Sequence, residues 1–126
     1  MEKEYSTFFK SIVDQDKCAV VICNVQHEII YMNPAAVRRY AKSGGEKLIG
    51  QSLLDCHNAE SAERIRQIVQ WFADSGEHNL VYTFHNKKEN KDVYMVALRD
   101  EEDTLIGYYE KHEYRDQETM KLYDFK

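Results

Sequence analysis

The sequence has few of the residues that mark disulfide-bonded, zinc-binding or phosphate-binding proteins. Its 126 residues include one proline, five glycines and three cysteines. Three is an odd number, and Cys18, Cys23 and Cys56 show no Cys-x-x-Cys spacing, so neither a disulfide framework nor a zinc ribbon is indicated. We therefore expect reduced thiols and a cytoplasmic location.

Long apolar runs and an excess of basic residues are also missing. No stretch approaches the roughly 20 apolar residues of a membrane-spanning helix, and MEKEYSTFFK at the N-terminus lacks the apolar core of a signal peptide. The formal charge is −5, which argues against a nucleic-acid-binding face because such a face needs clustered Lys and Arg. We expect one domain, with neither a membrane nor a nucleic acid as a partner.

Motifs for catalysis and metal binding are missing as well. There is no glycine-rich phosphate loop, no Gly-x-Ser-x-Gly elbow and no carboxylate dyad with an evident role. A metal site needs three or four converging ligands, whereas the histidines are scattered. His85 and His112 are expected on neighbouring strands as solvated residues. The sequence thus predicts neither an enzyme nor a metal site.

Helical spacing is present at the start of the chain. Apolar residues recur at i, i+3, i+4, i+7 and i+8, which predicts an amphipathic helix over residues 1–16. The apolar stripe of this helix consists of Tyr5, Phe8, Phe9, Ile12 and Val13. Short strands are then expected over 19–23 and 28–32. Asn33 and Pro34 predict an N-cap and a first helical residue for a helix over 34–41.

The second half changes from helical to alternating spacing. A helix is expected over 59–73, followed by strands over 80–85, 93–98 and 104–113, which polar turns join into a meander. The predicted fold is an α+β domain with helices on one face of a five-stranded antiparallel sheet. Residues 114–126 are expected to form a C-terminal tail.

The order of these elements, together with three passages, resembles a PAS domain of the small bacterial sensory type. The passages are AVVICN, IIYMNPAA (29–36) and LIGQSLLD (48–55), and the resemblance covers residues 17–113. It implies a sheet that encloses a cavity against short helices. Members bind haem, flavin or small metabolites, form dimers, or hold partner proteins.

The resemblance also implies which residues line the cavity. We expect a wall between the sheet and residues 37–72, made of Cys56, His57, Tyr40, Leu54, Ile65, Val69, Phe72, Tyr82 and Phe84. Adjacent residues of an extended segment point to opposite sides, so Cys56 and His57 are not expected to act together as nucleophile and base. A redox-sensing role for Cys56 stays an alternative, since it precedes a helix N-terminus.

Two cofactors can be weighed against this pattern. Photochemical flavin members carry a reactive cysteine in an Asn-Cys-Arg-Phe-Leu-Gln passage, and Cys56 falls about three residues late for that role, so flavin is not expected. Haem-binding members place the axial histidine inside the long helix, where an ungapped alignment puts Ala62. His57 lies about five residues earlier, so haem is kept only as a remote alternative.

We therefore expect a non-enzymatic sensory or ligand-binding domain in signal transduction that forms a homodimer. The helix over 1–16 serves as the dimer element or caps its own sheet, and the residues leave both arrangements open. Because the tail carries no effector domain, the output acts on a signalling protein in trans, or the chain is part of a longer one. The competing hypothesis is a ligand-free dimerisation or docking scaffold.

Overall fold

A computed structural model describes residues 2–125 of the chain, with side chains described from Tyr5 onward. The helices are α1 (Glu2–Gln15), α2 (Pro34–Arg39) and α3 (Ala59–Asp74), and three short 3₁₀ helices lie at Ala41–Ser43, Gly45–Leu48 and Leu53–Cys56. The strands are β1 (Val21–Asn24), β2 (Ile29–Met32), β3 (Leu80–Asn86), β4 (Lys91–Arg99) and β5 (Leu105–Tyr114).

The five strands form one antiparallel sheet in the order β2-β1-β5-β4-β3. The first and last strands of the chain therefore meet at the centre, and α2, the 3₁₀ helices and α3 separate β2 from β3 along the chain. This confirms the predicted α+β class and the PAS-like five-stranded sheet.

Asparagine caps set the start of both internal helices. The Asn33 side chain accepts a hydrogen bond from the Ala36 N–H, and Pro34 occupies the first turn of α2. The Asn58 side chain accepts from the Ser61 N–H at 2.8 Å and starts α3. Each cap satisfies a backbone donor that the first helical turn leaves without a partner.

The core lies between α3 and the helix-covered face of the sheet. Its buried members come from both layers, namely Cys23, Ile29, Met32, Ala36, Val69, Phe72, Met95 and Tyr108. Gly107 allows the central strands to approach closely, because a Cβ there would lie 2.1 Å from the Cys23 carbonyl oxygen. The close β1–β5 pairing thus depends on a residue without a side chain.

Helix α1 leaves most of its apolar stripe in solvent. The side chains of Tyr5, Phe8, Phe9 and Ile12 are exposed, while Val13 is half-buried. The stripe therefore does not cap the chain's own sheet, which was one of the two expected arrangements. Within residues 2–125, no helix combines the length and hydropathy needed to cross a membrane.

The C-terminal tail begins at Arg115, one residue later than predicted, because β5 continues to Tyr114. Arg115 and Asp116 are held by Asn90, whose carbonyl accepts from the Arg115 N–H and whose side chain donates to Asp116. Further along, Met120, Leu122, Tyr123 and Phe125 are exposed. Lys126 lies outside the described residues.

Candidate functional site

A cavity of about 290 Å³ lies between the sheet and the short helices. Its apolar wall combines residues of the strands and of the segment before β1 with residues from the 3₁₀ helices and α3, namely Ala19, Val21, Ile29, Met32, Leu48, Leu53, Ile65 and Met95. Ligand sites are concave and mostly apolar, with a few polar groups that fix orientation. This wall supplies the apolar part of such a site.

Polar groups line the same cavity. They are Tyr40, Ser43, Cys56, His57, Tyr108, Glu110 and His112. Ser43, Cys56 and His57 are exposed, and the Glu110 side chain is 45% exposed, so these four residues lie where the cavity meets solvent. Tyr40 and Tyr108 are buried deeply enough to raise the pKa of each phenol, and the carboxylate of Glu110 adds to both shifts.

The His57 imidazole has a defined orientation. Its Nδ1 lies 3.0 Å from the Leu53 carbonyl oxygen, four residues back in the chain. A carbonyl only accepts hydrogen bonds, so Nδ1 carries the proton and, in the neutral ring, Nε2 carries the lone pair. His57 therefore lines the cavity with a ring whose Nε2, in the neutral form, can accept a hydrogen bond.

Glu110 and His112 form a pair on β5. His112 Nε2 lies 3.1 Å from Glu110 Oε1, and the His112 side chain is only 7% exposed. Its Nδ1 is buried without a hydrogen-bond partner among the described residues. The expectation that His112 is solvated is wrong, and β4 separates its strand from that of His85. Strand alternation places Tyr108, Glu110 and His112 on the helix-covered face.

Tyr108 links the cavity to the β1–β2 turn. Its hydroxyl lies 2.9 Å from Nδ1 of His27, and burial lowers the pKa of His27, with the charge of Arg66 adding to this shift. Burial also raises the pKa of the neighbouring Cys23 thiol to about 11. Cys23 is therefore a core residue and not a reactive thiol.

The structure brings together four of the nine expected cavity residues. Tyr40, Cys56, His57 and Ile65 line the cavity. Leu54 is half-buried outside the lining, and Val69 and Phe72 lie on α3 with their side chains in the core.

Tyr82 and Phe84 are not brought to the cavity, which corrects their expected position. Both are more than half exposed on the edge strand β3. The Tyr82 hydroxyl instead donates to Asp92 at 2.8 Å, and the β3–β4 register shifts between Tyr82 and Phe84. The aromatic side of this strand thus faces away from the cavity, while Val81 packs against the core.

The Cys56–His57 segment is also less extended than expected. Cys56 ends the 3₁₀ helix Leu53–Cys56, and His57 follows as its C-cap. Both residues line the same cavity, so the expectation that they face opposite sides is wrong. All three cysteines are free thiols, and among the described side chains no three His, Cys, Asp or Glu residues converge on a metal position.

A buried junction centred on Asn33 connects α1, β1 and α2. The Asn33 side-chain oxygen accepts from the N–H groups of Val20 and Ala36, at 2.9 and 3.0 Å. Its amide donates to the carbonyl oxygens of Val13 and Cys18, at 2.9 and 3.0 Å. The bond to Val20 also explains why β1 begins at Val21 rather than at residue 19.

Helix α1 has a second attachment to the sheet. Tyr31 on β2 donates a short hydrogen bond to Asp14, and Lys10 lies 2.6 Å from the other oxygen of the same carboxylate. At the far end of α2, Arg39 makes two hydrogen bonds to Glu89, of 3.0 and 2.8 Å, which lower the pKa of that carboxyl to about 2. The Asn33 cap and the Arg39–Glu89 hydrogen bonds therefore fix the two ends of α2, and Tyr40 follows this helix directly.

A sheet of this order with a cavity under short helices defines a PAS-like α+β domain. The sequence profile of the PAS domain family matches residues 17–110, and the chain belongs to this family. No curated protein matches the chain closely enough to count as a relative.

Solved PAS structures share the fold at low sequence identity. The PAS domain of BvgS from Bordetella pertussis is 11% identical, with a TM-score of 0.60 over 90% of this chain and 88% of that one. A PAS domain from Colwellia psychrerythraea is 16% identical, with a TM-score of 0.62 over 87% and 96%. The Aer2 receptor from Vibrio cholerae, a dual PAS-haem oxygen sensor, is 18% identical, with a TM-score of 0.56 over 75% and 91%.

Proposed function

We propose that the chain is a non-enzymatic sensory PAS domain that binds a small molecule in the cavity between sheet and short helices. The observation that carries the proposal is the cavity itself, an apolar chamber with polar groups at one side. Packed cores leave few voids larger than a water molecule, so a space of this size is unusual unless it receives a ligand.

The volume favours a small metabolite over haem. Ligand sites usually enclose about 300–1,000 Å³, and the 290 Å³ found here lies at the bottom of that range. The haem of the Aer2 receptor is a macrocycle that would need a larger chamber. His57 has its Nε2 available, yet the space around it supports a compact ligand better.

The proposed assembly is a homodimer formed through α1. Four large apolar side chains of this helix are exposed in one stripe, namely Tyr5, Phe8, Phe9 and Ile12. Exposed contiguous apolar surface of this kind marks an interaction site. A second copy of the helix offers a matching stripe, so a symmetric pairing covers both.

The proposed mechanism is a population shift. A ligand that contacts Tyr40 biases the position of α2, whose first turn is bonded to Asn33. Asn33 in turn holds the Val13 carbonyl at the end of α1. A ligand with different affinities for two packings of this junction changes how α1 is presented to a partner.

The ligand proposal is tested on the purified full chain by native mass spectrometry and by thermal shift with a metabolite panel. We expect an added mass or a raised melting temperature for at least one compound. The control is Ala19→Leu, which places three more carbon atoms in the cavity wall. This variant should remain folded and lose the response, whereas a response that survives it places the ligand elsewhere.

A clean native mass and no thermal shift with any compound would favour the second candidate, a ligand-free scaffold. The specific observation that supports the scaffold is the exposed stripe of α1, which needs no ligand to associate.

The dimer proposal is tested by the substitution Phe8→Glu, which puts a charge into the stripe. We expect sedimentation to show a dimer for the natural chain and a monomer for the variant. Ser11→Glu puts the same charge on the same helix outside the stripe, and it should leave the dimer intact. A Phe8→Glu chain that stays dimeric would place the interface elsewhere.

A further inference from the structure

His112 is a buried polar side chain with one ring nitrogen beside a carboxylate and the other without a partner. It lines the cavity, and its side chain is 7% exposed. Nδ1 has no partner among residues 2–125. Buried polar groups in native proteins are almost always paired, so an unpaired one needs an explanation.

The contact with Glu110 indicates which kind of group Nδ1 is. A carboxylate only accepts, so the 3.1 Å contact from Nε2 to Glu110 places a proton on Nε2. In the neutral imidazole, Nδ1 then carries a lone pair. In that form the unpaired atom is an acceptor, and a ligand that satisfies it must bring an N–H or O–H donor.

Two other ionisable groups of the cavity have the same polarity. His57 offers the lone pair of Nε2, since its Nδ1 donates to Leu53, and Glu110 brings a carboxylate. The cavity lining within the described chain includes neither lysine nor arginine. A ligand carboxylate or phosphate would find hydroxyl donors on Tyr40, Ser43 and Tyr108, but it would have no cation to pair with and would be repelled by the Glu110 carboxylate.

We propose that the Glu110–His112 pair, with His57, selects a compact, mainly apolar molecule that carries an amine or a hydroxyl group, and rejects anions. The donor group binds to His112 Nδ1, and the apolar body lies against Ile29, Met32 and Met95. A positively charged amine gains a further attraction to the Glu110 carboxylate. This inference rests on the proposed function of the cavity as a ligand site.

The test uses four probes that share a benzene ring and differ in its single substituent. Toluene, benzyl alcohol, benzylamine and benzoate are each titrated at millimolar concentrations into the full chain. Binding is followed by amide chemical shifts around the cavity. We expect benzylamine and benzyl alcohol to bind at least tenfold more tightly than benzoate, with toluene weaker than the alcohol. Benzoate binding as tightly as benzylamine would overturn the inference.

Variants separate the polar selection from the cavity itself. In His112→Phe, benzyl alcohol and toluene should bind alike, because the acceptor is gone and the apolar wall remains. His85→Phe, on β3 outside the cavity lining, should bind all four probes as the natural chain does. Glu110→Gln keeps an acceptor for His112 Nε2 and removes the charge, so it should reduce the advantage of benzylamine over benzyl alcohol. An advantage that survives both cavity variants would overturn the assignment.

The outcomes also separate this inference from the proposed function. If toluene binds and the probes show no preference among themselves, the cavity is a ligand site and the polar selection is wrong. If none of the four probes binds although a metabolite of the panel raises the melting temperature, the inference fails and the proposed function stands. If neither the probes nor the panel bind, both fail.

Discussion

Asn33 and His112 are both polar side chains buried in this small domain, but their surroundings differ sharply. Asn33 is fully buried, and its side-chain oxygen and amide are both bonded to backbone groups of three different segments. His112 is 7% exposed and leaves one ring nitrogen unpaired. The first arrangement joins parts of the fold, and the second keeps an acceptor free beside a cavity.

The difference shows how burial and hydrogen bonding together distinguish structural from recognition residues. A buried polar group with all its partners stabilises the chain conformation around it, whereas one without a partner destabilises the free protein. Tyr108 lies between these cases, because it lines the cavity and has one bond, to His27. The three residues give a series that experiments can test.

The largest effect is expected for Asn33→Ala. This change removes the cap of α2 and leaves the buried N–H of Val20 and the carbonyl of Cys18 without their side-chain partner. Because each unpaired buried group costs about 1–3 kcal/mol, we expect a loss of roughly 3 kcal/mol in the free energy of unfolding. Urea denaturation measures this loss.

Asn58→Ala is the matched control. Asn58 caps α3 in the same way, but in solvent, so its loss should cost only about 1 kcal/mol. Equal losses for the two variants would show that burial of Asn33 adds nothing to a cap.

A smaller effect is expected for Tyr108→Phe. The ring and its packing remain, and only the hydroxyl that bonds to His27 is removed. The free energy of unfolding should fall by about 1 kcal/mol, the net value of a typical hydrogen bond. A loss of stability as large as that of Asn33→Ala would make Tyr108 a structural residue and contradict the expected order of the three effects.

His27 itself predicts a dependence on pH. Burial lowers its pKa below the ordinary value of about 6.5, so the unfolded chain takes up a proton more readily than the folded chain. The stability present above pH 6.5 is therefore partly lost as the pH falls through that value toward the folded pKa. Urea midpoints between pH 7.5 and 5 should decrease more for the natural chain than for His27→Asn.

Asparagine is the right replacement for His27 because the backbone there has a φ of 68°, which asparagine tolerates. An identical pH dependence in the two chains would mean that His27 does not resist protonation.

The smallest effect on stability is expected for His112→Leu. Removing a buried, unpaired ring nitrogen takes away a destabilising group, although it also removes the contact with Glu110. We expect the free energy of unfolding to change by less than about 1 kcal/mol in either direction. Urea denaturation checks this expectation, and a loss near that of Asn33→Ala would make His112 a structural residue.

The sheet and the helix starts could be predicted because the signals are local. Asn33 and Pro34 specify a cap and a first turn without reference to the rest of the fold, and the alternating strands specify a meander. The position of Cys56 and His57 at the cavity followed from the resemblance.

The polar wall of the cavity could not be predicted, since it depends on which face of a strand turns inward. On β3 the larger apolar residues, such as Tyr82, face away from the cavity and Val81 packs inward, so periodicity alone selects the wrong side. On β5, strand alternation puts Glu110 and His112 on the same face as Tyr108. The sequence does not show that Tyr108 is buried, so it does not show which face turns inward. Burial is a property of the packed layers and not of the strand sequence.

The most direct test of the account is the ¹⁵N chemical shift of His112 Nδ1, measured in the free full chain and after addition of benzylamine. The account predicts a shift typical of an unprotonated nitrogen with a free lone pair, which moves toward that of a hydrogen-bonded acceptor as the probe binds. A protonated Nδ1 in the free chain, or a resonance that does not change while benzylamine binds, would contradict it.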